Sequence, residues 1–210
     1  MTTHIMSALL QAIAHCVPPN GATTLNPSVK QTGIALTNGN LTATASGAVS
    51  GGCLSTTSKS SGKFYIEATY VEGPSGTFYG FGIADTSYTV STAPGTDVHC
   101  VIFQNAGVVR YDGSNKAEIS EPNANDVVAM AVDFGAQLIW FKNLTQATGW
   151  NEASGSSNPA SGTGGVSFSS ISAGAVFAMV GYLSDPGEIT VNFGDTSFTG
   201  SVPAGFSAWD

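Results

Sequence analysis

Charge is what this sequence has least of. Only 10% of its 210 residues are Asp, Glu, Lys or Arg, against about 25% in an ordinary soluble domain. Six of those are basic and fourteen acidic, for a net charge of −8. The basic residues form no cluster, which argues against a nucleic-acid partner and against binding to an anionic lipid surface. Cysteine is scarce too: Cys16, Cys53 and Cys100 are widely spaced, with no CxxC pair. That excludes a disulfide framework and a zinc knuckle. Buried free thiols are the plain reading, and a Cys53–Cys100 bridge stays open at this level. No apolar run reaches the roughly 18 residues of a membrane span, so no membrane insertion is expected. The start lacks a basic segment and has no clean small-x-small site before Pro18-Pro19, so no secretory signal is expected.

The signatures of catalysis are also missing. There is no Gly-x-Ser-x-Gly. Histidine occurs only at positions 4, 15 and 99, and a structural role for His99 is favoured over a Ser/His/Asp triad. Gly162-Thr-Gly-Gly165 lacks the lysine and following helix of a phosphate loop. Glycoside hydrolysis needs two carboxylates about 5–9 Å apart. Glu67 stands alone on its predicted strand, Asp126 and Asp133 lie at opposite ends of another, and Glu118 and Glu121 fall in a turn before Pro122. Asp185, Glu188 and Asp195 lack the Asp-x-Asp density of a calcium loop and read as turn chemistry. The expectation is a non-enzymatic protein with no cofactor and no metal.

What is present is a β pattern. Apolar residues make up 42% of the chain and mean hydropathy is +0.14, enough for a sizeable core. Glycine is abundant at 26 residues, where an average chain of this length holds about 15. Ile34–Thr44 reads as two strands around Asn38-Gly39, a hairpin signal. From Lys63 to Val71 the residues alternate, with Phe64, Ile66, Ala68 and Tyr70 on a core face. Further strands are predicted over 77–84, 98–103, 108–111, 127–133, 137–142, 176–183 and 188–193, the last two bracketing the tight-turn residues Ser184–Gly187. Ten to twelve short strands with no long helix and no repeat predict one antiparallel β-sandwich over residues 25–210.

Residues 1–24 are read as a separate helical or extended arm. No charged residue occurs before Lys30, and Ile5, Leu9, Ile13 and Cys16 recur at helical spacing. Ser7–His15 is predicted as a short helix stopped by Pro18-Pro19. So short a helix is marginal alone, so its apolar face must pack either on the chain's own sandwich or on a partner subunit. The complete lack of charge favours the second, an assembly interface of Ile5, Leu9, Leu10 and Ile13.

Asn143–Ser161 has no strand signal, and a loop that long in a compact domain is usually functional. An aromatic side chain that stacks on a sugar ring beside Asn or Asp is the pattern of a glycan site. Three places fit: Trp150-Asn151, Tyr111-Asp112, and Tyr88 near Asp85.

Several segments in order resemble the phage and bacterial version of the SPRY domain, a concanavalin-like jelly-roll sandwich. They are Leu36–Thr44, Ser60-Ser-Gly-Lys-Phe-Tyr-Ile-Glu67, Gly80-Phe-Gly-Ile-Ala84, Asp126–Asp133 with Leu138–Asn143, Asn158–Gly165, and Val191-Asn-Phe-Gly194 followed by Pro203-Ala-Gly-Phe206. The resemblance covers about residues 25–209. It implies a binding module displayed on a bacteriophage virion, as a tail fibre, spike or capsid decoration. The implied partners are other virion subunits, further copies of the chain in a homo-oligomer, and a host-surface glycan or protein. A secreted or surface carbohydrate-binding module of a bacterium is the alternative.

Overall fold

The structure, a computed structural model, describes residues 21–45, 49–71, 78–151, 155–171, 176–182 and 187–210. The arm helix, with Ile5, Leu9, Leu10 and Ile13, lies outside the described residues, as does the turn at 183–186. Fifteen strands occur among the described residues: β1 (Leu25–Lys30), β2 (Ile34–Thr37), β3 (Thr42–Ala45), β4 (Gly51–Lys59), β5 (Lys63–Tyr70), β6 (Tyr79–Asp85), β7 (Cys100–Gln104), β8 (Val108–Tyr111), β9 (Ser114–Glu118), β10 (Asp126–Asp133), β11 (Leu138–Asn143), β12 (Val166–Ser167), β13 (Val176–Tyr182), β14 (Gly187–Asn192) and β15 (Ser207–Ala208).

They form two sheets. One has seven strands in the order β1-β4-β13-β6-β7-β8-β9. The other runs β12-β11-β10-β5-β14-β3-β2, with β15 as its eighth strand, paired to β5. Every pair is antiparallel except β15 with β5. Period-two alternation explains the core. Ile66, Ala68 and Tyr70 of β5 and Val128, Met130 and Val132 of β10 face Phe81, Ile83, Val101 and Phe103 of the opposite sheet. Phe103 and Phe141 stack across the gap with ring centres 5.6 Å apart, and the Tyr70 hydroxyl donates to Phe103 O at 2.9 Å. Each such buried ring contributes roughly 2–3 kcal/mol.

The closing segment behaves as its residues suggest. Trp209 is fully buried in the core, Phe206 packs beside Trp140, and the Asp210 N–H donates to Phe193 O at 3.0 Å. Asp210 Oδ1 in turn accepts the Thr23 N–H at 2.7 Å, and Thr24 pairs with Thr56 of β4.

Four features differ from the sequence reading. The second face of β5 is covered as well: Tyr65 and Glu67 are buried beneath Phe198 and the Thr199-Gly200 turn. The predicted strands at 176–183 and 188–193 do not form a hairpin, because β13 and β14 belong to different sheets. β4 is a long central strand that its Gly/Ser/Thr composition conceals. Glu118 ends β9 rather than lying in a turn. The β8–β9 turn, Asp112-Gly113, has φ of 50° and 66°, the left-handed pair of a tight hairpin.

Candidate functional site: two clefts beside one loop

The loop after β11 is held by a side-chain network. The Asn143 side chain donates to Asp126 Oδ2 at 2.9 Å and accepts the Gln146 N–H at 3.0 Å. Gln146 Nε2 also reaches Asp126 Oδ2, at 2.6 Å. Burial alone would raise the Asp126 pKa, but these donors and Asn123 together hold it below the ordinary 3.8. Five residues further on, Asn151 takes over. Its Oδ1 accepts the Phe141 N–H at 2.8 Å, and its Nδ2 donates to Ile139 O and Gly164 O at 2.9 and 3.0 Å. Asn151 is thus a staple joining β11 to the turn at 158–165, with a φ of 53° that asparagine tolerates well. Trp140 Nε1 donates to Thr163 O at 2.8 Å and fixes the same turn.

This loop separates two clefts. The first, of about 890 Å³, opens where the edge strand β9 of one sheet faces the edge strand β12 of the other. Tyr111, Asp112, Lys116, Glu118, Ser157, Ser167, Ser169 and Ser170 line it, with Asn151 at its wall. Lys116 Nζ lies 5.9 Å from the Tyr111 ring centre. Lys116 is also the extra residue of a β-bulge, since Val109 pairs with Ala117 and Arg110 with Asn115. A bulge and a lysine on an edge strand discourage sheet-to-sheet pairing, so the cleft stays open to solvent. The second cleft, of about 450 Å³, lies on the outer face of the eight-stranded sheet and holds Trp150.

The sequence candidates therefore divide. Tyr111, Asp112 and Asn151 come together at the first cleft, although Tyr111 is 6% and Asn151 4% exposed. Trp150 is half-buried and faces the other way. Tyr88 and Asp85 line neither cleft. Tyr88 is buried, and its hydroxyl donates to Thr92 O at 2.7 Å. Asp85 is wholly buried, accepts the Ser87 N–H at 2.8 Å and pairs with His99 Nδ1 at 3.2 Å. The reason is the long loop 86–99, which folds back over the outer face of the seven-stranded sheet. Pro94 sits against Gly181, where any Cβ would collide with it. His99 is a paired structural histidine: among the described residues no hydroxyl hydrogen-bonds to its ring. Nor do the described residues include a group of three His, Cys, Asp or Glu able to hold a metal.

Sequence reasoning missed Lys116, Glu118, Ser167, Ser169 and Ser170. The Asp112-Gly113 pair, followed by five residues to Glu118, could have revealed β9 and with it the cleft.

Two antiparallel sheets closed by a C-terminal aromatic segment form a β-sandwich, and its likeness among solved structures is to SPRY domains. Among solved structures, the chain is similar to the SPRY domain of human HERC1, with TM-score 0.56 and 17% identity over 80% of this chain and 96% of that one. It is similar also to the TRIM65 PSpry domain, with TM-score 0.56 and 12% identity over 88% and 98%. A third likeness is to stonustoxin, with TM-score 0.54 and 14% identity over 81% of this chain and 27% of that one. No family model and no curated protein sequence matches the chain. At these identities the likeness is one of fold.

Proposed function

We propose that this chain is a non-enzymatic structural protein of a bacteriophage virion, a tail-fibre, spike or capsid-decoration subunit that displays its sandwich as a binding module for a host-surface glycan or protein. The observation that carries the binding reading is the 890 Å³ cleft between two sheet edges. Its walls are hydroxyl-rich, its loop is stapled by Asn151, and its edge strand is protected from strand addition. A preformed polar cleft suits a ligand rich in hydroxyls or amides, because little ordering is needed on binding. The SPRY fold, a frame for presenting loops, supports the same reading by analogy. Placement in a virion rests on the ordered sequence resemblance and on the uncharged arm. In that reading Ile5, Leu9, Leu10 and Ile13 are buried on other virion subunits and on further copies of the chain.

Two measurements test it. Mass spectrometry of purified particles from the source lysate should find the full chain at fixed stoichiometry, and a Leu9→Asp/Ile13→Asp variant should be left out of them. Labelled full-length protein should adsorb to host cells, and Lys116→Ala with Ser169→Trp, which fills the cleft, should abolish adsorption. Adsorption unaffected by a filled cleft would sink the site; absence from particles would sink the virion assignment.

A further inference from the structure

The second cleft has a different chemistry from the first. Its floor follows from register on the outer face of the eight-stranded sheet. Glu67, Ala129 and Lys142 stand in one row across β5, β10 and β11, and Tyr65, Ala131 and Trp140 in the next. The two alanines are fully buried beneath Leu144, Trp150, Phe198 and Phe206. Their short side chains let two coverings settle close to the sheet: the loop through Trp150, and the C-terminal segment Thr199–Pro203. The groove lies where these coverings meet, with Lys142 rising into it and Asn158 along its wall.

Among the described residues, Lys142 is the one charged side chain lining this groove. Among the described residues it makes no ion pair and no hydrogen bond. The carboxylate in its own row, Glu67, is buried and already takes donors from Tyr65, Thr199 and Gly200. In a chain with fourteen acids and six bases, a groove whose one charge among the described residues is positive and unpaired selects an anion. A half-buried indole beside that charge offers a flat apolar face, and Asn158, Thr199 and Ser201 offer polar groups around it.

We propose that this groove binds a carboxylated sugar, a uronic or ulosonic acid at the end of a glycan. Lys142 takes the carboxylate, Trp150 packs on the ring, and the amide and hydroxyl side chains take the ring hydroxyls. One fixed positive charge balances one carboxylate, whereas a phosphate monoester carries nearly two negative charges. The proposal rests on the reading of the chain as a binding module, and it assigns the acidic sugar to the groove rather than to the edge cleft.

The test uses the full chain and ligand-observed NMR titrations with 3′-sialyllactose, a glucuronic-acid-terminated disaccharide, and lactose as the neutral probe. At least one acidic probe should bind roughly tenfold tighter than lactose, and added salt should weaken it. Lys142→Gln should abolish that preference at an unchanged melting temperature, Lys142→Arg should keep it, and Trp150→Ala should weaken the acidic probe too. Equal binding of lactose, an acid preference surviving in Lys142→Gln, no binding of either acidic probe, or an oligoglutamate peptide outcompeting both would overturn the proposal. Host-cell adsorption separates the two failures. Adsorption that persists in Lys142→Gln but is lost when the edge cleft is filled removes the groove and leaves the binding module standing.

Discussion

Gly200 and Glu67 are 133 residues apart in sequence, and the Gly200 N–H donates to Glu67 Oε1 at 2.7 Å. The Thr199 N–H reaches Oε2 at 2.8 Å, and the Tyr65 hydroxyl completes the set at 2.8 Å. A carboxylate 2% exposed is thus given three donors, and the C-terminal segment is clamped to β5 at the groove wall. Glu67→Ala strands buried N–H groups and should cost about 3 kcal/mol, read as a lower urea midpoint at constant slope. Glu67→Gln keeps an acceptor but turns an N–H toward donors, and should fall between the two. A Glu67→Ala protein as stable as wild type would show that the clamp is dispensable.

Acid should loosen the same sheet. At Asp133, burial alone raises the pKa, but the Ala136 N–H, the Lys63 ammonium at 2.9 Å and the Gly135 N–H together hold it below 3.8. Asp126 is shifted in the same direction by Asn143, Asn123 and Gln146. A carboxyl whose folded pKa lies below its unfolded one contributes stability that is complete above the unfolded value and lost as pH falls through the folded one. The urea midpoint should therefore be flat from about pH 7 to pH 5 and drop below about pH 4. Asp126→Asn should be weaker at neutral pH and show a shallower acid limb. An equally steep limb in that variant would remove Asp126 as a source.

The thiols should be silent in the folded protein. Cys53 and Cys100 are buried and in different core clusters. Burial pushes the Cys53 thiol up to about 12 and the Cys100 thiol higher still, so neither supplies thiolate near neutral pH. In a Cys16→Ser variant, a disulfide reagent at about pH 8 should titrate almost no thiol natively and both after guanidinium unfolding. Fast native reaction would mean that the sheet around Cys53 or Cys100 opens readily.

Much of the frame was legible because local signals agreed with the global fold. The Phe64/Ile66/Ala68/Tyr70 alternation and the Pro203–Trp209 closure hold. The hairpin around Asn38-Gly39 forms, but through a 3-10 turn over Asn38–Asn40 with Thr37 paired to Thr42 rather than a two-residue turn. What was hidden depends on contacts far apart in the chain. β4 has the composition of a loop and becomes a strand because β1 and β13 flank it. Tyr88 and Asp85 read as surface residues, yet bare glycine backbone in the seven-stranded sheet lets loop 86–99 lie down on it. Lys142 looks like an ordinary strand end. Its register through Ala129 to Glu67 places it on the outer face of the sheet, where it is the one charged residue among the described residues lining the groove.

Trp150 and Asn151 read as one aromatic–amide pair in the sequence, but they line opposite clefts. Their substitutions should separate accordingly. Asn151→Ala deletes the acceptor of Phe141 N–H and the donors to Ile139 O and Gly164 O, all buried or nearly so. It also places alanine at a left-handed φ. The expected loss is roughly 3 kcal/mol of stability, with faster amide exchange along β11 and at residues 158–165. Trp150→Ala removes a half-buried indole, so it should cost roughly 1–2 kcal/mol and leave the exchange of β11 unchanged. Its main effect should be on sugar binding at the Lys142 groove. If both variants lose stability and exchange protection equally, the loop is a single packing unit and the two clefts are not independent.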